Sequence, residues 1–231
     1  MTTTVMNSEE RELENKRAWD TLYGQTEELI WGSEPLKFIR TAFASIAPEL
    51  PNEPLLLDAA TGEGRNLPIL LDFSRRVIAC DSSTCALAKL HKRFGDSVLT
   101  EECDLAHTPF DTNRFDAILA CDVIETLPNL SETLTEFHRI LRPGGFLVCN
   151  VPDERDGIAG QDMEPISRSE YLYQNRFFFR FQNKEHFVAF LEENGFAPKQ
   201  NFSATWTEAP HPEYREESHQ HTSWIMIAQK R

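Results

Sequence analysis

Residues 55–66 read Leu55-Leu56-Leu57-Asp58-Ala59-Ala60-Thr61-Gly62-Glu63-Gly64-Arg65-Asn66, an apolar run that passes into a turn of small residues and then into a helical pattern. The run reads as a buried strand, since four to eight consecutive apolar residues bounded by turn signals fit the interior of a sheet. The turn matters because Ala60, Gly62 and Gly64 offer little side-chain obstruction, so ligand atoms can approach the backbone closely. Asp81 follows 19 residues after Gly62, at the end of the next apolar run, where a carboxylate can accept both hydrogen bonds of a ribose diol. Turn and acid together imply an adenosine-containing cofactor. A glycine-rich turn by itself would be an ordinary tight turn and Asp81 a solvated acid, but strands on both sides argue against that.

Outward from this unit, short apolar runs alternate with longer amphipathic stretches, the pattern of a parallel sheet with crossover helices. Strands are expected near 54–58, 76–80, 97–101, 115–120 and 145–151, with two further strand-like runs over Phe202–Thr207 and Thr222–Gln229. Asn129 and Glu132 have capping-box spacing ahead of the stripe Leu130, Leu134, Phe137 and Leu141, and Pro143-Gly144-Gly145 ends that helix. Asn183 is placed to cap another helix that buries Phe187, Phe190 and Leu191 and stops at Gly195. Before the sheet, Leu13, Trp19, Leu22 and Tyr23, then Leu36, Ile39, Phe43 and Ile46, keep helical spacing, so residues 1–50 read as a helical cap on a unit spanning 51–231.

Composition narrows the classes. At 231 residues with 40% hydrophobic side chains the chain suits one globular α/β domain with extensions. Its net charge of −14 disfavours nucleic acid, because phosphate-backbone affinity rests on cationic contacts. No apolar run approaches the ~20 residues that span a bilayer, and the first residues lack an apolar signal-peptide core, so a cytoplasmic location with no membrane partner is expected. Five cysteines without a CxxC pair read as reduced thiols, and Cys80, Cys103, Cys121 and Cys149 near strand ends read first as small buried hydrophobes.

The chain resembles the class I S-adenosylmethionine-dependent methyltransferases, in particular the small-molecule branch that includes the ubiquinone and menaquinone biosynthesis type. Asp58, Ala60, Gly62 and Gly64 match the acid-x-Gly-x-Gly-x-Gly motif, with alanine at the first glycine. In family order follow Val77-Ile78-Ala79-Cys80-Asp81-Ser82, Cys103-Asp104-Leu105 with Pro109-Phe110, Arg114-Phe115-Asp116-Ala117-Ile118, and Leu141-Arg142-Pro143-Gly144-Gly145-Phe146-Leu147. The resemblance implies an α/β, Rossmann-like sheet of seven strands, mostly parallel with the last strand antiparallel, helices on both faces, and S-adenosyl-L-methionine over the carboxyl ends of the first strands. It places Ala60, Thr61 and Gly62 against the methionine part, counts Asp58, Ala59, Gly64 and Asn66 among the cofactor-binding residues, and sets Asp81 on the ribose and Ser82 beside the adenine. Cys103, Asp104 and Leu105 meet the adenine edge, Cys121 approaches through its backbone, and Tyr23 and Trp31 close over the methionine end, unless those two aromatics are simply core. A nicotinamide Rossmann domain shares strand, turn and acid, but the third glycine of G-x-G-x-x-G has no counterpart after Gly64.

Ligands of open α/β sheets collect beyond the carboxyl ends of the strands, which directs attention to 121–130, 152–183 and 208–221. Asp122 and Glu125 lie in the first of these; Thr126 stands where the ubiquinone-type motif commonly has histidine, which weakens a quinone-precursor acceptor. Segment 152–183 reads as an aromatic lid containing a strand or short helix, with Phe177–Phe181 alternatively a buried strand. Arg168, Arg176, Tyr214, Arg215 and His221 are candidates to orient a polar or anionic acceptor. His211 and His219 join His221 as possible proton acceptors in a loop that otherwise reads as a polar hairpin with solvated histidines. Their spacing fits no strong metal motif, so no metal is expected. The catalytic residue, the acceptor and the choice of monomer or dimer stay open, as does a catalytically silent, cofactor-binding regulatory module.

Overall fold

The computed structural model describes residues 8–211 and 213–231, so Met1–Asn7 of the expected cap and Pro212 of the histidine loop lie outside the described residues. Helices α1 (Ser8–Gly24) and α2 (Lys37–Ile46) precede β1 (Leu56–Ala59), α3 (Leu67–Phe73), β2 (Val77–Asp81), α4 (Thr84–Phe94), β3 (Leu99–Glu102) and β4 (Phe115–Ala120). Then come α5 (Leu130–Ile140), β5 (Leu141–Pro152), β6 (Met163–Pro165), β7 (Glu170–Tyr173), β8 (Phe177–Arg180), α6 (Lys184–Glu193), β9 (Phe196–Glu208) and β10 (His219–Lys230).

Seven strands form one sheet in the order β3-β2-β1-β4-β5-β10-β9. The first five run parallel, and β10 pairs antiparallel with both β5 and β9. Order reverses at β1, whose neighbours β2 and β4 lead to opposite edges, and a crevice opens there at the carboxyl ends. The alternation of the strands assigns residues to two cores. Leu57, Ile118 and Ala120 meet α5 and α6 through Leu134, Phe137, Phe187 and Leu191. Leu56, Ala117 and Leu119 meet α2 and α3 through Ile39, Phe43 and Leu70. Ile39 and Phe43 are fully buried, and burial of each such side chain contributes about 1.5–3 kcal/mol.

The first helices therefore have different jobs. Helix α2 belongs to a sheet-covering layer, whereas α1 sends Ala18, Leu22 and Tyr23 into a third cluster with Tyr173, Phe177, Phe179 and Tyr214, above the strand ends. The 152–183 insertion is a three-stranded antiparallel sheet, β6-β7-β8, with Phe177–Phe179 buried. Asn183 caps α6 by accepting the His186 amide at 2.9 Å. At α5 the expected capping box does not form: Asn129 occupies the N-cap position without a side-chain cap bond, and its amide donates instead to Glu12 of α1.

Candidate active site

The β1 turn is held open by backbone geometry that its sequence tolerates only in part. Ala60, Gly62 and Gly64 have φ of 55°, 53° and 76°, so alanine occupies a left-handed position ordinarily given to glycine. A Cβ at Gly62 would lie 2.7 Å from the Tyr23 hydroxyl, and one at Gly64 would lie 2.9 Å from Leu67 and Phe94. Beneath the turn, Asp58 accepts the Thr61 hydroxyl at 2.7 Å. Burial pushes the Asp58 carboxyl up to about 7, against the pull of that hydrogen bond. Asp81 accepts the amides of Gly62 at 2.8 Å and Ser83 at 2.9 Å, one on each oxygen. Its carboxyl is raised by burial, which those amides partly offset.

The segment after α1 is clamped onto this turn. Glu63 accepts the Ile30 amide at 2.9 Å and the Lys89 ammonium at 2.8 Å, while Asn66 accepts the Leu36 amide at 3.1 Å. Arg65 grips Glu208, at the end of β9, through two bonds of 2.9 and 3.2 Å. Trp31 then lies over the turn and donates to the Tyr23 hydroxyl at 2.9 Å. On the far side Asn15 joins three elements, donating to the Thr126 carbonyl at 2.8 Å and accepting the Phe178 amide at 3.0 Å.

These contacts enclose one cavity at the crevice. Ala60, Thr61, Gly62 and Asn66 line it from the first turn, Asp81 and Ser82 from the end of β2, and Cys103, Asp104, Leu105 and Cys121 from the next two loops. Tyr23 and Trp31 line it from the amino-terminal segment. Asp58, Ala59 and Gly64 are not in the lining and act as its support. Asp104 is already engaged by the Ala106 amide at 2.9 Å and by the Lys16 ammonium.

A family profile described as a methyltransferase domain matches residues 57–149. A probable S-adenosylmethionine-dependent methyltransferase of Mycolicibacterium smegmatis is 29% identical over 141 residues, covering 61% of this chain and 51% of that protein. The ubiquinone/menaquinone biosynthesis C-methyltransferase of Desulfotalea psychrophila is 33% identical over 103 residues, 43% of this chain and 42% of that one. The chain thus spans about half the length of these curated relatives or less. Residues 57–149 are thus similar to a methyltransferase domain. Among solved structures, the Burkholderia thailandensis 1,6-didemethyltoxoflavin-N1-methyltransferase, with bound 1,6-didemethyltoxoflavin and S-adenosylhomocysteine, superposes with a TM-score of 0.72 at 20% identity, covering 100% of this chain and 93% of that one. This likeness bears on the fold, whose mostly parallel sheet with an antiparallel last strand agrees with the expectation from sequence.

The residues present fit the polar groups of an adenosine-containing cofactor. Each Asp81 oxygen takes one backbone donor and keeps a further lone pair for a diol. The cavity continues past the turn to Asp122, Glu125, His211, Tyr214, His219 and His221. Asp122, at φ 52°, is open to the cavity and accepts the Asn150 amide at 2.6 Å. Glu125 is buried, and burial reinforced by the Asp122 charge drives its carboxyl well up. His211 donates from Nδ1 to the Ile30 carbonyl at 2.8 Å, and burial lowers it to about 4, so its ring is neutral near pH 7. Burial also lowers His219. For His221 burial is outweighed by the Asp156 carboxylate at 3.3 Å, and its basicity is raised.

The three arginines expected on the acceptor side are elsewhere. Arg168 is exposed, Arg176 stacks on Phe177 at 4.7 Å, and Arg215 is buried against Tyr173 at 4.7 Å; none lines the cavity. Aromatic rings of the lid hold the Arg176 and Arg215 guanidinium groups. Conversely Asn15, Lys16, Glu63 and Glu208 shape the site through partners 26 to 163 residues distant, which leave no local signal in the sequence.

Proposed function

We propose that the chain transfers the methyl group of S-adenosylmethionine to a small-molecule acceptor bound in the same cavity, in the cytoplasm. Continuity carries this reading: one cavity joins the Gly62–Asp81 turn to the Glu125, Tyr214 and His219 region. Asp81 receives the ribose hydroxyls, Ser82 and Leu105 flank the adenine with Asp104 at its amine, and Tyr23 and Trp31 enclose the methionine end. When bound, the cofactor supplies a methyl group already activated by its sulfonium. The protein's share is alignment and exclusion of water, by α1 on one side and the aromatic sheet β6-β7-β8 on the other. Such positioning is worth up to ~7–11 kcal/mol of a barrier. The net charge of −14 supports a small acceptor over nucleic acid.

The test is incubation with methyl-labelled cofactor and a fractionated metabolite extract, beside calorimetry with S-adenosylhomocysteine. Micromolar binding and label in low-mass products are expected. Label confined to RNA or protein rejects the acceptor class, binding without transfer leaves a silent regulatory module, and heat with NADH alone points to an oxidoreductase.

A further inference from the structure

We infer that the acceptor presents a protonated or N–H-bearing nitrogen beside a flat apolar body, and that Glu125 receives that nitrogen. The inference rests on the methyl-transfer reading above and names the substrate class of the same cavity. Its first support is a carboxyl oxygen without a partner. Glu125 sits in the short helical turn after β4 and is 6% exposed; it lines the cavity, and its Oε2 has no hydrogen-bond partner among the described residues. A buried carboxyl oxygen without a partner is costly, and because burial and the Asp122 charge disfavour its ionised form, a ligand cation placed at that oxygen would stabilise the carboxylate and satisfy the atom together.

Charge decides what kind of donor. The Asp122 and Asp156 charges both bear unfavourably on Glu125, so an anionic ligand group there adds repulsion and a cation removes it. The cations in the lining are already committed: Lys16 to Glu12 and Asp104, Arg65 to Glu208, and His221 to Asp156. His211 has spent its Nδ1–H on the Ile30 carbonyl. Among the described residues that line the cavity no lysine or arginine is uncommitted; Arg215, two of whose nitrogens have no hydrogen-bond partner, lies outside the lining against the Tyr173 ring. Trp19, Trp31, Phe179 and Tyr214 supply apolar wall around these acids, and aromatic faces attract cations further. The one rival claimant is the sulfonium of the cofactor, which is also cationic and separates experimentally, because S-adenosylhomocysteine lacks it.

The experiment uses the full chain saturated with S-adenosylhomocysteine and matched probes, tryptamine against indole-3-acetate and phenethylamine against phenylacetate, read by calorimetry. The amines are expected to bind at least tenfold tighter than the carboxylates. Glu125→Gln, which keeps size and shape, should reduce that preference to under threefold while S-adenosylhomocysteine affinity and thermal midpoint stay near wild type. Equal or tighter carboxylate binding overturns the inference, as does binding of neither class. A Glu125→Gln loss specific to S-adenosylmethionine over S-adenosylhomocysteine also overturns it, by giving Glu125 to the sulfonium. Failure of S-adenosylhomocysteine to bind at all sinks the methyl-transfer reading itself, a result distinct from each of these.

Discussion

At Gly62 two requirements meet in one residue, a φ of +53° and an approach that leaves 2.7 Å between a hypothetical Cβ and the Tyr23 hydroxyl. Gly62→Ala is therefore expected to displace Tyr23 and Trp31 and to weaken S-adenosylhomocysteine binding at least tenfold in calorimetry. Wild-type affinity would show that the aromatic pair does not close this site. Asp58 allows a pH prediction. Its folded carboxyl, near 7, lies above its ordinary value of 3.8, so the folded state holds the proton more tightly than the unfolded chain. That contribution is fully present below pH ~4 and is lost as pH rises to ~7, at up to about 1.4 kcal/mol per pH unit. Asp58→Asn should gain stability relative to wild type between pH 5 and pH 8 in urea titrations; a constant difference across that range would contradict the assignment.

Among the elements, the segment between α1 and α2 is tied to the β1 turn by the Ile30 amide on Glu63, whose carboxylate also forms a buried ion pair with Lys89 of α4, both under 10% exposed. Breaking one side of such a pair strands the other charge and costs about 3–5 kcal/mol, whereas replacing both removes most of that penalty. Glu63→Ala is expected to lose stability in that range, and Glu63→Ala with Lys89→Met to recover more than half of it. If the double variant is as unstable as the single, the cost lies in the lost Ile30 amide bond and not in the orphaned lysine. Asn129 shows why such ties escape a reading of sequence. Its spacing to Glu132 satisfies the capping-box rule, yet Glu12, remote in sequence, takes its side chain.

For the whole molecule, ligand binding to a crevice that joins α1, the sheet and the lid should stabilise all three together. At one hundred times the dissociation constant, S-adenosylhomocysteine is expected to add about 2.7 kcal/mol, which for a chain of this size raises the thermal midpoint by roughly 5–10 °C. An unchanged midpoint at saturation would contradict binding to the folded state. The charge of −14 gives a companion expectation, no retention of duplex DNA at 150 mM salt.

Fold class was legible in the chain because its signals are local. The Leu55–Asn66 unit and the apolar strands report on backbone that the adjoining residues dictate, whereas α5 ends at Ile140 and Pro143-Gly144-Gly145 lies within β5 rather than at the helix end. The small-residue turn and its contact with Asp81 were legible for the same reason, since strand, turn and acid fall within one βαβ unit. The acceptor side was not. Whether Arg215 faced a ligand or the Tyr173 ring, and whether Glu125 found a donor, depended on competition among groups brought together from β4, the lid and the β9–β10 loop. Sequence spacing carries no record of that competition, because side chains distant in the chain choose partners only after the sheet has placed them within reach.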